Sequence, residues 1–396
     1  MQEFDAYLMV DWSASSRPAQ GLDSVWYCLL TRTNDRLAIA SLENPATRSQ
    51  ARAEVKVILR EMVRRSQSVL VGFDFPYGYP SGFAAALGLE GPSPWLATWR
   101  EITSVILDGD DNRNNRFTVA AGLNSRVSGG RYPFWGCPRS CECSTMSSTK
   151  GGTGPLAEKR ITDVGNMQPI WKLFGNGSVG SQALLGIPTV SALRNDSVLA
   201  PVSSVWPFET GLRRLSGRRG TDSLILHAEI YPSLLPVQPA DEVKDRAQVR
   251  KLAYHFATLD DADRLSDLFA GSNLLTAAER DRIEREEGWT LGVEESHRTK
   301  PLALKPRPAA ASAVISAPLS AKPPHRSGAG RTTEPGYENR NGQTTIRSTG
   351  LAGTDHGQCI YVLRCSSCGH EYGANGSDIH TRRCPACQGG RPGLRY

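Results

Sequence analysis

Tyr7-Leu8-Met9-Val10-Asp11-Trp12-Ser13 is a short apolar run that ends on an acid. Such a run, stopped by a polar group, reads as a buried strand. An acidic side chain at its end lies at the open edge of a sheet, where α/β proteins keep their ligands. Taken alone, Asp11 could equally cap a turn, because aspartate often hydrogen-bonds its own backbone two residues on. The pattern recurs, however. Val69 to Phe73 is a second apolar run, followed by an acid in Gly72-Phe73-Asp74-Phe75-Pro76, and Leu224 to Ser233 is a third, with Glu229 near its end. Carboxylates gathered in one place repel one another unless a divalent cation neutralises them. Three strands that each deliver one acid therefore point to a hard ion, Mg²⁺ or Mn²⁺.

At 396 residues the chain has room for one large domain and a small one. Its 39% hydrophobic and 22% charged content suits a globular protein. No apolar run reaches about 18 residues, so no membrane helix is expected. The N-terminus is acidic and enters a strand at once, unlike a signal peptide, which places the protein in the cytoplasm. Of the nine cysteines, Cys28 stands alone, Cys137, Cys141 and Cys143 cluster, and the rest lie beyond position 358. In a reducing compartment such clusters suggest metal binding rather than disulfides. Charge is uneven: 14 of the 46 Lys and Arg but only 5 of the 40 Asp and Glu lie after residue 296. The tail is basic and the remainder close to neutral. A basic tail suits contact with nucleic acid, and it also suits a merely soluble linker.

In chain order, Val25 to Leu30 and Leu37 to Leu42 alternate as strands and form an antiparallel meander with the first. Turns are supplied by residues 19–23 and by Asn34-Asp35. Arg48 to Ser66 reads as a helix, with Ala51, Val55, Ile58, Leu59, Met62 and Val63 on one face. Val69 to Phe73 follows as a parallel strand after a crossover.

Three strands, a helix and another strand, with acids on the first and fourth strands, resemble the ribonuclease-H-like nuclease fold. Val-Asp-Trp-Ser, Gly-Phe-Asp-Phe-Pro and Ala-Glu-Ile-Tyr-Pro-Ser look like the predicted-nuclease branch of that fold, over roughly residues 5–270. The resemblance implies a mixed α/β sheet with flanking helices and an acid at the end of the first strand. It implies further acids on later strands and a last one on a C-terminal helix. Asp11, Asp74, Glu229 and Asp245 fill those places. Asp245 stands in the first turns of a helix whose apolar stripe is Ala247, Val249, Leu252, Ala253 and Phe256. Asp260, Asp261 and Asp263 compete for the last place, because related predicted nucleases carry an acidic pair ahead of an Ala/Leu helix.

A long insertion runs from Tyr77 to about Thr221 and must hold structure of its own. Its aromatic residues, among them Trp95, Trp99, Phe134 and Trp171, read as the core of a subdomain. Arg113, Asn115, Arg116 and Lys172 are the candidates for substrate contact, since Arg beside aromatics suits phosphates and stacked bases. Gly175-Asn176-Gly177-Ser178-Val179-Gly180 matches Gly-x-Gly-x-x-Gly. That pattern marks a dinucleotide site only between a strand and a helix, and nearby prolines favour a tight turn instead. Cys137, Cys141 and Cys143 offer three thiols without a clear fourth ligand.

Residues 291–357 read as a flexible linker, rich in Pro, Ala, Ser, Thr, Gly and Arg without apolar periodicity. Residues 358–396 follow with two Cys-x-x-Cys knuckles, Cys365/Cys368 and Cys384/Cys387. Four thiolates at this spacing make a closed tetrahedral Zn²⁺ site, and the segment resembles a zinc ribbon. So short a segment needs the metal to fold. Arg364, Arg382, Arg383, Arg391 and Arg395 suit a phosphate backbone, although a ribbon can also bind a protein partner.

The reading that unites these features is a metal-dependent nuclease for DNA or RNA, targeted by the ribbon. Asp11 would bridge two Mg²⁺ or Mn²⁺ ions, with Asp74, Glu229 and Asp245 completing the shell. Two alternatives stay open: a non-catalytic nucleic-acid-binding or scaffold protein on the same fold, and a nucleotide-handling transferase suggested by the Gly-rich turn.

Overall fold

The computed structural model describes residues 2–33, 36–215, 224–235, 243–293, 331–352, 359–394 and 396. It divides into two compact units, residues 1–307 and 308–396.

The first unit is built on a mixed six-stranded sheet. The apolar run at the N-terminus forms β1 (Ala6–Asp11), and β2 (Trp26–Thr33) and β3 (Arg36–Glu43) complete the expected meander. The expected turn at Asn34-Asp35 falls outside the described residues. Thr47 then caps α1 (Arg48–Arg64) by accepting the Gln50 N–H at 3.2 Å. The second run returns as β4 (Val69–Phe73), parallel to β1, and the third forms β6 (Ile225–Glu229), parallel to β4. A short edge strand, β5 (Ser203–Val205), completes the order β3-β2-β1-β4-β6-β5.

Because strand side chains alternate between faces, the sheet sorts its apolar residues into two cores. Leu8, Val10, Val71 and Phe73 face one layer, which holds Val55 and Leu59 of α1. Tyr7, Met9, Leu70, Leu226 and Ala228 face the other. That second layer is covered by α6 (Lys244–Asp261), through the expected stripe of Val249, Leu252, Ala253 and Phe256. Residues 236–242, which precede α6, lie outside the described residues. At Gly72 a Cβ would meet Met9 Sδ and Ile230 Cγ2 at 2.8 Å, so this strand position must stay bare.

The insertion carries α2 (Phe83–Ala86), α3 (Pro94–Val105), α4 (Arg116–Ser128) and α5 (Val179–Arg194). Its aromatics are core: Tyr79, Phe83, Phe134 and Trp171 pack ring against ring, and Trp95 stacks on Phe208 at 4.8 Å. Pro188 sits inside α5 rather than ending it.

The second unit pairs β7 (Gln343–Ala352), β8 (Cys359–Cys365) and β9 (Glu371–Asn375) as an antiparallel sheet. The linker expected over 291–357 is therefore corrected at both ends. Leu291 and Val293 are buried in the first unit's core, and residues 343–352 are a strand of the second unit's sheet. Polar, Thr-rich β7 lacks the apolar alternation that would have marked it as a strand. Residues 294–330 and 353–358 lie outside the described residues.

The far end of α6 is tied to the N-terminus. Asp260 is buried and accepts the Glu3 N–H at 2.8 Å, the Phe4 N–H at 3.0 Å and the Tyr7 hydroxyl. Asp260→Ala strands these donors and should cost on the order of 3 kcal/mol in urea denaturation. Asp261→Ala, whose carboxylate is exposed although its partner Arg32 is largely buried, should cost less, about 1 kcal/mol. Equal effects would contradict this placement.

Candidate functional site

Register explains which acids meet. Parallel pairing sets Val10 beside Phe73, so the next residues, Asp11 and Asp74, emerge side by side at the sheet's C-terminal edge. Asp11 follows the alternation of Tyr7 and Met9, so it lies on the face that α6 covers. Asp245, in the first turn of α6, comes to the same place. The three carboxyls sense one another. Burial first, and then the charges of Asp74 and Asp245, push the Asp11 carboxyl well above the usual range, and its side chain hydrogen-bonds that of Asp74. Burial also raises Asp74, to about 7, although the Trp12 N–H donates to its Oδ1 at 2.6 Å. Asp245 is raised by burial and by the charge of Asp23, whose own N–H donates to Asp245 Oδ2 at 3.0 Å. Asp23 is a fourth acid beside the cluster that sequence reading passed over as a turn residue.

Glu229 does not join them. In β6 it pairs with Phe73, one residue short of Asp74, and therefore points to the opposite face of the sheet. There Arg160 holds it bidentately at 2.7 Å and 2.7 Å, the Thr290 hydroxyl donates at 2.6 Å and the Tyr77 N–H at 2.9 Å. Arg160 is also paired to Asp163 at 2.8 Å. Glu229 is thus a buried partner of a cation, and its assignment to the metal shell is corrected. Asp261 and Asp263 are corrected too. They lie at or beyond the far end of α6, roughly 24 Å along the helix from Asp245. Asp261 pairs with Arg32 at 2.8 Å.

The substrate-contact candidates separate by role. Arg113 is exposed and pairs with Asp111 at 3.1 Å. Asn115 closes its own loop, accepting the Leu107 N–H at 2.9 Å and donating to Val105 O at 2.9 Å. Arg116 is buried, contrary to its reading as a substrate contact. It donates to Ser181 Oγ at 2.9 Å, Ser16 Oγ at 2.9 Å and Asn114 Oδ1 at 2.7 Å, and burial lowers its pKa to about 10. Lys172 donates to Asn176 O at 2.5 Å, across the Gly-rich turn. That turn leads into α5 without a preceding strand, and the Gly180 N–H is already given to Lys172 O at 3.0 Å. The context of a dinucleotide site is missing.

Sequence reading also passed over Arg48, which lies wholly buried at the start of α1. Its guanidinium holds both Asp108 oxygens at 2.7 Å and 2.6 Å, and it donates to Ser13 O at 3.0 Å and Ser15 O at 2.6 Å. It therefore pins the loop that leaves Asp11. No sequence signal sets it apart from the other arginines of α1.

In the second unit, Cys365, Cys368, Cys384 and Cys387 offer ligand atoms that all lie within 4.8 Å of one another. Cys365 Sγ is 3.6 Å from Cys387 Sγ, and Cys368 Sγ is 3.5 Å from Cys384 Sγ. A tetrahedral Zn²⁺ with bonds of roughly 2.3 Å needs sulfurs at just under about 4 Å, so this group can hold a metal such as zinc. Among the described residues it is the one His, Cys, Asp and Glu group that meets this spacing. The acids of the first unit are set more widely, and Cys137, Cys141 and Cys143 do not meet it either.

No protein-family model matches the chain, and comparison with curated proteins and with solved structures finds no significant match. Among the described residues, no helix is long and apolar enough to cross a membrane.

The raised acids make a stability prediction. Between pH 4 and 7 the folded state keeps a proton on Asp74 that the unfolded chain releases, so this group's contribution is complete at low pH and is lost as pH rises through about 7. Thermal denaturation of protein freed of Mg²⁺ and Mn²⁺ should show Tm falling from pH 5 to 8, and Asp74→Asn should flatten that fall. A variant that follows the wild-type profile would contradict the coupling.

Proposed function

We propose that the first unit is a divalent-metal-dependent nuclease with a ribonuclease-H-like fold, and that Asp11, Asp74 and Asp245 are its metal ligands. The strand order β3-β2-β1-β4-β6-β5, with β2 alone antiparallel to both its neighbours, supports the fold. The observation that carries the function is the meeting of three carboxyls from two adjacent parallel strands and a helix start, each with its proton affinity raised. Such an arrangement is offset either by a retained proton or by a bound cation. Mg²⁺ or Mn²⁺ bound there would supply Lewis acidity to a water nucleophile and to the leaving oxygen of a phosphodiester.

The chain's own residues do the rest. The Trp12 N–H fixes Asp74 in its rotamer, and the Asp23 N–H fixes Asp245. Arg48 holds the Ser13–Ser15 backbone, and Gln182 donates to Trp12 O at 2.5 Å, so the segment after Asp11 is clamped on two sides. Arg113, which is exposed, and Lys172, which is half-buried, suit a nucleic-acid backbone. The basic second unit, loaded with zinc, suits the same DNA or RNA partner.

A second reading has its own support. The acids are more widely spaced than the four cysteines, which favours a protein that binds nucleic acid without cutting it. Cleavage assays separate the two. With Mg²⁺ or Mn²⁺, wild type should cut at least one of labelled single-stranded, double-stranded or branched DNA, or RNA. Asp11→Asn should reduce the rate at least 100-fold with the fold intact, while Asp261→Asn should leave it unchanged. Binding that weakens with salt but never leads to cleavage would establish the second reading.

A further inference from the structure

Gln343 opens β7 in the second unit and is completely buried. Its Nε2 donates to Cys365 Sγ at 3.6 Å and is shared with Asn341 O at 2.7 Å and Gln388 Oε1 at 3.0 Å. Its Oε1 accepts the Tyr372 hydroxyl at 3.0 Å. Gln388 Oε1 in turn accepts the Cys384 N–H at 2.9 Å. One amide thus touches a sulfur of the first knuckle and reaches the second knuckle through one further side chain. A leucine would fill the same volume without needing polar partners, so burying an amide here calls for a reason beyond packing.

We propose that Gln343 is a positioning residue of the metal centre. Four thiolates around a dication leave a net negative charge, and an N–H aimed at one of the sulfurs offsets part of it. The same amide fixes the separation of the two knuckles, because it is anchored at Oε1 by Tyr372 and bonded to Gln388. The metal-binding unit accordingly starts at β7. A segment beginning at β8 would keep every cysteine ligand and lose the residue that orients them.

The test uses the full chain, with zinc affinity measured by competition against a chromophoric chelator. The absorption spectrum of the cobalt(II)-substituted protein is the second readout. Gln343→Leu should weaken zinc binding by roughly 10- to 100-fold, Gln343→Glu at least as much, and both should shift the sulfur-to-cobalt charge-transfer bands. Tyr372→Phe, which frees Oε1 but keeps Nε2, should shift them less in the same direction, and it tests the proposal if Gln343→Leu does not fold. Thr345→Val removes a bond to Thr332 O at 3.0 Å from the same strand without touching a sulfur, and should leave the bands in place. Wild-type affinity and unshifted bands in Gln343→Leu would overturn the proposal. Weakened binding with unshifted bands would also overturn it, because Gln343 would then serve the fold alone.

Discussion

The first unit depends on the parallel pairing of β1 with β4, which sets Val10 beside Phe73 and forces Asp11 and Asp74 to leave the sheet together. Two carboxyls so placed cannot both ionise cheaply. A third, from the first turn of α6, adds to the strain instead of relieving it. The surrounding structure spends its polar groups on holding these acids still: the Trp12 and Asp23 amides bond them, and buried Arg48 fixes the loop that follows. Lys244 lowers the affinity of Asp11 and Asp245 for their protons, and it does so weakly beside burial.

Glu229 shows how the same residue type takes a different fate one position away. It sits on the central sheet beside Asp74, yet strand parity turns it to the other face, where Arg160, Thr290 and the Tyr77 amide satisfy it. Removing Arg160 would leave a buried charge unpaired, so this pair holds the sheet to the insertion. The two acidic settings therefore divide their work. One binds elements together, and the other gathers carboxyls whose proton affinities are raised.

Much of this was legible in the sequence, for identifiable reasons. Short apolar runs ended by acids gave β1, β4 and β6, and three-and-four spacing gave α1 and the buried face of α6. The paired knuckles gave the cysteine cluster, because their spacing alone brings four sulfurs together. Glu229 misled because counting acids at strand ends ignores parity: Leu226, Ala228 and Ile230 mark the α6 face, so Glu229 had to point away. Arg116 misled because an arginine beside an aromatic suits phosphates and stacked bases, whereas its guanidinium is consumed by Ser16, Asn114 and Ser181. Asp23 and Gln343 carried no pattern at all. Their positions follow from a turn and a strand register that only the folded chain supplies.

The central claim is that Asp11, Asp74 and Asp245 share a divalent cation. Calorimetric titration of Mn²⁺ into the zinc-loaded full chain tests it most directly. Saturable binding to wild type is predicted to be lost in Asp11→Asn and Asp74→Asn, weakened in Asp245→Asn and unchanged in Glu229→Gln variants that remain folded. Binding that survives both Asp11→Asn and Asp74→Asn would contradict the account.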